Sequence, residues 1–157
     1  MRRKDREITD RAQMLDIMHR CEAMSIAFSG DTPYVIPMSF GFEEKDGQLF
    51  IYLHGAFEGE KITRMQHDPR VAFSMFTGNR VVESGKACEY TTTYESVCGS
   101  GRMVKVQDTE KRHGLEVLMA HYAPGKTLEY DEKLMAMTCV MRIDVDELTG
   151  KRKRVPA

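Results

Sequence analysis

The chain has 157 residues, a length suited to one domain whose core needs no disulfide or metal staple. Its 23 basic and 24 acidic side chains leave a formal net charge of −1, which excludes a global field for nucleic acid, and its one basic block, "TGKRKR", reads as a solvated tail. No leader pattern and no bilayer-length apolar stretch occurs, and Cys21, Cys88, Cys98 and Cys139 have no close spacing, so a cytoplasmic protein with reduced, packed thiols and no membrane or nucleic-acid partner is expected.

In chain order, Thr9 or Asp10 can cap a first helix in which Met14, Leu15, Met18 and Cys21 share a face. "AMSIAFSG" predicts a short strand that breaks at "GDTP". From Tyr34 to Phe42 the pattern alternates, with Tyr34, Ile36, Met38, Phe40 and Phe42 on one side of a single strand. Pro37 within it cannot donate a ladder bond, so that strand lies at an edge, a bulge or a site. Asp46-Gly47 predicts a hairpin turn. The return strand, "LFIYLH", is apolar on both faces, which predicts cover on both. Glu58 to His67 reads as a short helix stopped by Asp68-Pro69. "RVAFSMF" and "YESVCGSGRMVKVQ" read as strands, the second bulged at Gly99 and Gly101. Asp108 caps a helix to about Tyr122, with Leu115, Leu118, Met119 and Tyr122 as its buried stripe. "APGKTLEYDE" reads as a loop, and "TCVMRIDV" is a last alternating strand. The fold class expected is therefore mainly β, or α+β: about six antiparallel strands, closed as a barrel to leave few edges, with flanking helices. A single domain, 1–157, is expected, with residues 1–8 and 151–157 as flexible tails.

The five histidines lack metal-site spacing, so no metal is expected; nucleophile-elbow and nucleotide-loop patterns are absent too. One stretch invites chemistry: "HGAFEGEK", His54 to Lys61. Gly59 permits close approach to the backbone, a helix start beyond it offers free N–H groups, and Lys61 adds a full charge. On the residues alone, a capped turn with a surface lysine and a seat for an anion both remain open.

"PYVIPMSFGFE…DGQLFIYLHGAFEGEKITRMQHDPRVAF", followed by "ACEYTTTYESVCGSGRM", "LEVLMAHY" and "VMRIDVDELTGKRK", closely resembles the flavin-binding split-barrel family related to pyridoxamine 5′-phosphate oxidase, in its 5-nitroimidazole resistance branch. The resemblance implies a six-stranded split barrel that forms a homodimer, with FMN in the clefts between subunits. It implies that Ile36, Pro37, Met38, Ser39 and Phe40 run beside the flavin ring, that Tyr52 and His54 approach it from the next strand, and that Gly59 and Lys61 hold the phosphate. Ser96 and Val97 would come from the second subunit, and His54 would be the catalytic residue, as proton donor or anchor. The implied activity is reduction of small molecules, with nitroaromatic compounds as the candidate class and electrons from a separate donor. The alternative is a non-catalytic flavin or haem binder, with His54 as the haem's axial ligand. Glu60 and Glu95 depart from the family pattern, where arginine is common, and two acids would oppose a phosphate unless they point away. Tyr90 stands where relatives often carry Trp. The C-terminal substrate motif of the true vitamin B6 oxidases is absent, which argues against oxidation of pyridoxamine phosphate.

Overall fold

The computed structural model describes residues 2–154. All eight strands belong to one antiparallel sheet. They are β1 (Glu7–Ile8), β2 (Met24–Phe28), β3 (Tyr34–Met38), β4 (Gly41–Lys45), β5 (Gln48–Gly55), β6 (Arg70–Val82), β7 (Thr91–Lys105) and β8 (Cys139–Lys153). The hydrogen-bonded order is β3-β2-β6-β7-β8-β5-β4, with β1 paired to β8. Helices α1 (Arg11–His19), α2 (Glu60–His67), α3 (Asp108–Tyr122) and α4 (Glu132–Ala136) flank it.

The end strands of that path, β3 and β4, are neighbours in the chain, with only Ser39 and Phe40 between them. Three peptide steps span at most about 11 Å, so the sheet must curl until its two ends nearly meet. The result is a barrel whose seam, between β3 and β4, carries no ladder. This corrects the expected strand count from six to eight. The alternation from Tyr34 to Phe42 is real, but at Ser39–Phe40 the backbone changes partner: Tyr34–Met38 pairs with β2, and Gly41–Lys45 with β5. A side-chain period cannot report a change of hydrogen-bond partner. Pro37 sits on the edge strand β3, as its missing donor requires. Asp46 (φ 52°) and Gly47 (φ 80°) make the turn between β4 and β5.

The eighth strand corrects the expectation of flexible tails. Glu7 pairs with Lys151 and Ile8 with Gly150, and β8 continues to Lys153 against β7. Gly150 explains the fit, because a side chain there would meet Met14 Cγ at 2.8 Å and Ile8 Cβ at 2.9 Å. The basic block is likewise a strand end, in which Arg152 pairs with Glu95 and reaches Gln13. Residues 1 and 155–157 lie outside the described residues.

The barrel core is Ile26, Ile51, Leu53, Met75, Val97, Met103, Met141 and Ile143, joined by Ile17 and Met18 of α1 and by Ile62 and Met65 of α2. Asp10 caps α1, its carboxylate accepting from the Ala12 N–H at 2.9 Å. Cover on both faces of β5 is borne out: Leu49, Ile51 and Leu53 face the core, while Tyr52 and Phe50 pack on the other side with Val106, Val140, Leu115 and Val117. That second cover is α3, which crosses β4 and β5 on a stripe of Lys111, Gly114 and Leu118. Close crossing depends on two glycines. A Cβ at Gly114 would meet Tyr52 Cδ1 at 2.7 Å, and one at Gly41 would meet the α3 backbone at 2.4 Å. The expected loop, 123–132, is irregular up to Asp131, which caps a short helix the sequence did not suggest, α4, leading into β8. All four cysteines are free; Cys21 and Cys139 are packed as expected, whereas Cys88 and Cys98 are exposed.

Candidate functional site

The β5–α2 connection builds the clearest site. β5 ends at His54 and Gly55, and Gly55 pairs with Cys139 at the start of β8. Gly59 follows with φ 116° and ψ 170°, a left-handed conformation that favours glycine. Its carbonyl accepts from the N–H groups of Ile62 and Thr63, at 2.9 and 3.2 Å, and so opens α2. No side chain caps that helix start, and no atom lies within 4 Å of where a Gly59 Cβ would stand. The first N–H groups of α2 therefore have no side-chain cap, and the positive end of the helix lies there. Lys61 completes the arrangement. A Cβ on Gly55 would lie 2.8 Å from Lys61 Cε and 3.0 Å from its Nζ. The lysine arm thus rests in the space a side chain would have filled, and the ammonium is half-buried at the barrel end. Gly55 and Lys61 of "HGAFEGEK" are in contact, and Gly59 opens the helix that carries the lysine.

The acids flagged in the sequence are both neutralised. Glu60 binds Arg64 at 2.6 Å, and Arg64 in turn donates to Thr32 and lies over the Tyr34 ring. Glu95 binds Arg20 at 2.6 Å and Arg152. Burial opposes ionisation of Glu95, but the two guanidinium groups outweigh it and hold the carboxyl low.

Other expected site residues are distributed differently. Pro37 and Ser39 point outward from the edge strand, whereas Ile36 and Met38 are half-buried against the core and Phe40 is fully buried. The Phe40 N–H donates to the Tyr122 hydroxyl, which donates to the Glu22 carbonyl and so pins the seam. From Ile36, Met38 and Phe40 a ligand on the outer face meets backbone only. Ser96 faces outward beside Phe76, while the Val97 side chain is buried in the core and cannot touch an outer ligand. Tyr52 is corrected outright. It lies under α3 at 3 % exposure, its hydroxyl bonded to Glu43 and Glu110, and burial together with Glu110 pushes the phenol up. Its partner on the same outer face of β5, His54, lies beyond the helix, is exposed and makes no hydrogen bond among the described residues. Among the described residues no His, Cys, Asp and Glu cluster could hold a metal ion.

Sequence reasoning missed Phe57 and two further lysines at this end of the barrel. Lys105 at the end of β7 and Lys111 at the start of α3 both stand over the Phe57 ring. A signal existed: Lys111 falls at helical spacing on the buried stripe with Gly114 and Leu118.

The model of the family described as pyridoxamine 5′-phosphate oxidase matches residues 10–152. The chain belongs to that family. A candidate 5-nitroimidazole antibiotic resistance protein from Bacteroides thetaiotaomicron is similar at 30 % identity and a TM-score of 0.80, over 93 % of this chain and 86 % of that one. At the level of fold, an FAD and haem binding protein from Mycobacterium smegmatis matches with a TM-score of 0.82 at 20 % identity, covering 96 % of this chain and 74 % of that one. A flavocytochrome from Azotobacter vinelandii gives 0.81 at 19 % identity, covering 99 % and 73 %. A search of curated protein sequences returns no significant match. In this family member no helix among the described residues is long and apolar enough to cross a membrane.

Proposed function

We propose that this protein is an FMN-dependent reductase of small molecules, with nitroaromatic compounds as its substrate class, working in the cytoplasm as a homodimer. The observation that carries the reading is the seat at Gly55, Gly59 and Lys61: an ammonium held in a glycine-made gap beside an uncapped helix start. That donor set suits a phosphate monoester. Flavin, when bound, supplies the redox chemistry, taking electrons from a donor and passing them to the substrate. The chain's own residues bind and orient. Lys61 and the α2 N–H groups hold the phosphate; Pro37, Ser39 and the free backbone edge of β3 flank the ring; His54 offers a proton to bound substrate. The candidate resistance protein from Bacteroides supports the substrate class, and the flavin- and haem-binding neighbours support a planar cofactor.

The dimer reading rests on the outer wall of the barrel. The doubly apolar β5 is covered by α3 and leaves nothing there for a partner. The outer face of β3, β2, β6 and β7 is bare instead. Pro37, Ser25, Ser74 and Cys98 are in register across it, and Val35 and Phe76 are 62 % and 65 % exposed. Small side chains around two exposed apolar ones suit a close contact with a second copy, at which Ser96 would reach the partner's flavin. Sedimentation of a folded monomer at micromolar concentration would sink the dimer.

Haem is the second reading, favoured by the exposed and unbonded His54. One experiment separates the two. The protein is purified without added cofactor and denatured, and the released chromophore is identified. FMN upholds the reading, haem replaces it, and no chromophore with no FMN uptake refutes both.

A further inference from the structure

Three cations gather where α2 closes the barrel. Lys61 lies over Gly55, and the ammonium groups of Lys105 and Lys111 stand 4.6 and 5.3 Å from the centroid of one ring, Phe57. All three act on the Cys139 thiol, which burial pushes up and the lysines pull down. A cavity of about 390 Å³ lined by Phe57, Lys105, Lys111 and α4 adjoins one of about 320 Å³, and the two share Phe57 and Lys105.

Lys111 is the informative member. It is 8 % exposed, the one charged residue buried among the described residues. A buried ammonium costs free energy unless it is well paired. Here its partners are weak: the Met135 carbonyl at 3.3 Å, and Asp108 at 3.4 Å, whose own side chain is 94 % exposed. Glu132, the other acid lining the cavity, is taken by Arg112 at 2.5 Å. Among the described residues no carboxylate pairs with Lys61 or Lys105. Solvated surface lysines spread apart; Lys105 and Lys111 converge on one ring beside α4, while the two acids lining the cavity, Asp108 and Glu132, are 94 % and 75 % exposed and Glu132 is held by Arg112.

We propose that Lys105 and Lys111, over Phe57, form a second phosphate site beside that of Lys61, so that this end of the barrel accepts a diphosphate. Its place beside a first phosphate rests on the role assigned above to Lys61. The diphosphate of a dinucleotide flavin and that of a nicotinamide dinucleotide serving as electron donor share this chemistry.

The test is calorimetric titration of the full chain at low salt with inorganic phosphate and with pyrophosphate. Pyrophosphate is expected to bind at least about 10-fold more tightly, the value of one charge-assisted contact. Lys105→Ala should erase that advantage and Lys105→Arg should keep it; Lys105 is exposed, so both variants fold. Equal affinities for the two anions, or pyrophosphate binding indifferent to Lys105→Ala, overturns the proposal. FMN and FAD both compete at Lys61, so displacement of pyrophosphate by FAD that weakens in Lys105→Ala, while displacement by FMN does not, assigns the second site to the flavin. Displacement by a reduced nicotinamide dinucleotide assigns it to the donor, and displacement by neither overturns it. Should no flavin bind while pyrophosphate still responds to Lys105→Ala, the cavity stands and the flavin reading falls.

Discussion

Replacing Gly55 by Ala tests the phosphate seat without touching the lysine. The new Cβ would lie 2.8 Å from Lys61 Cε and 3.0 Å from Nζ, with Met141 Cε at an ordinary 3.7 Å. Carbon atoms prefer about 3.5–4.0 Å, so the lysine arm must move by about 1 Å or swing away. The neighbour that yields is the far end of a flexible side chain, and Ala suits a strand better than Gly by about 0.5–1 kcal/mol, so the fold should hold. Complete loss of a charge-assisted contact costs about 1.5–3 kcal/mol, or about 10- to 100-fold in affinity. A displaced ammonium keeps part of that, which places the expected loss for Gly55→Ala at about 3- to 10-fold for FMN. Riboflavin lacks the phosphate and should bind Gly55→Ala as it binds the parent. Fluorescence titration of both flavins against the parent, Gly55→Ala, Lys61→Ala and the double variant closes a thermodynamic cycle. If the alanine acts through the lysine, it does nothing further once Lys61 is gone. An equal loss in the Lys61→Ala background, or an equal loss for riboflavin, would refute the reasoning.

Gly114→Ala puts a Cβ 2.7 Å from Tyr52 Cδ1 and 2.9 Å from Val140 Cγ1, so overpacking should cost about 1–3 kcal/mol despite the better helix propensity; an unchanged urea midpoint would count against the close α3 crossing. Glu95 has a folded-state pKa below its ordinary 4.5. Its contribution is therefore present above pH 4.5 and lost as pH falls through the lower folded value, so Glu95→Gln should flatten the acid limb of stability against pH, and an identical limb would refute the role given to Arg20 and Arg152. His54→Ala should leave flavin content unchanged and lower turnover by about 10²–10⁴, and full activity in the variant would remove His54 from the chemistry.

Much of this was legible in the sequence because local rules govern it. The turn at Asp46-Gly47 needs left-handed backbone, the edge position of β3 follows from Pro37, and the start of α2 just after Gly59 follows from the glycine and the stop at Asp68-Pro69. What stayed hidden depends on long-range pairing. Phe40 and Phe42 continue the alternation of Tyr34–Met38, yet they belong to the other end of the sheet. Tyr52 and His54 share a face of β5, and only the path of α3 decides that the first is buried and the second open. Gly114 reads as a weak point in a helix until Tyr52 lies beneath it.

The placement of the helices decides where chemistry can occur. α3 takes the outer wall of β4, β5 and β8, so Tyr52 becomes core, linked through Glu110 to Arg142 at 2.6 Å. α1 fills the barrel end marked by Gly150. Two surfaces remain: the bare wall of β3, β2, β6 and β7, and the barrel end at α2. The wall is apolar and small-residued, suited to a flat ring or a second subunit, while the end carries Lys61, Lys105 and Lys111 and suits phosphate. A ligand with one planar apolar half and one anionic half has a matching surface for each. The start of β3 and α2 are joined by Arg64, which donates to the Thr32 carbonyl at 2.6 Å in the loop before β3, lies over the Tyr34 ring and binds Glu60 in its own helix. Glu60 thereby acquires a purpose that its charge alone would not suggest. It binds the arginine that ties the loop before β3 to α2, and that ion pair offsets its negative charge.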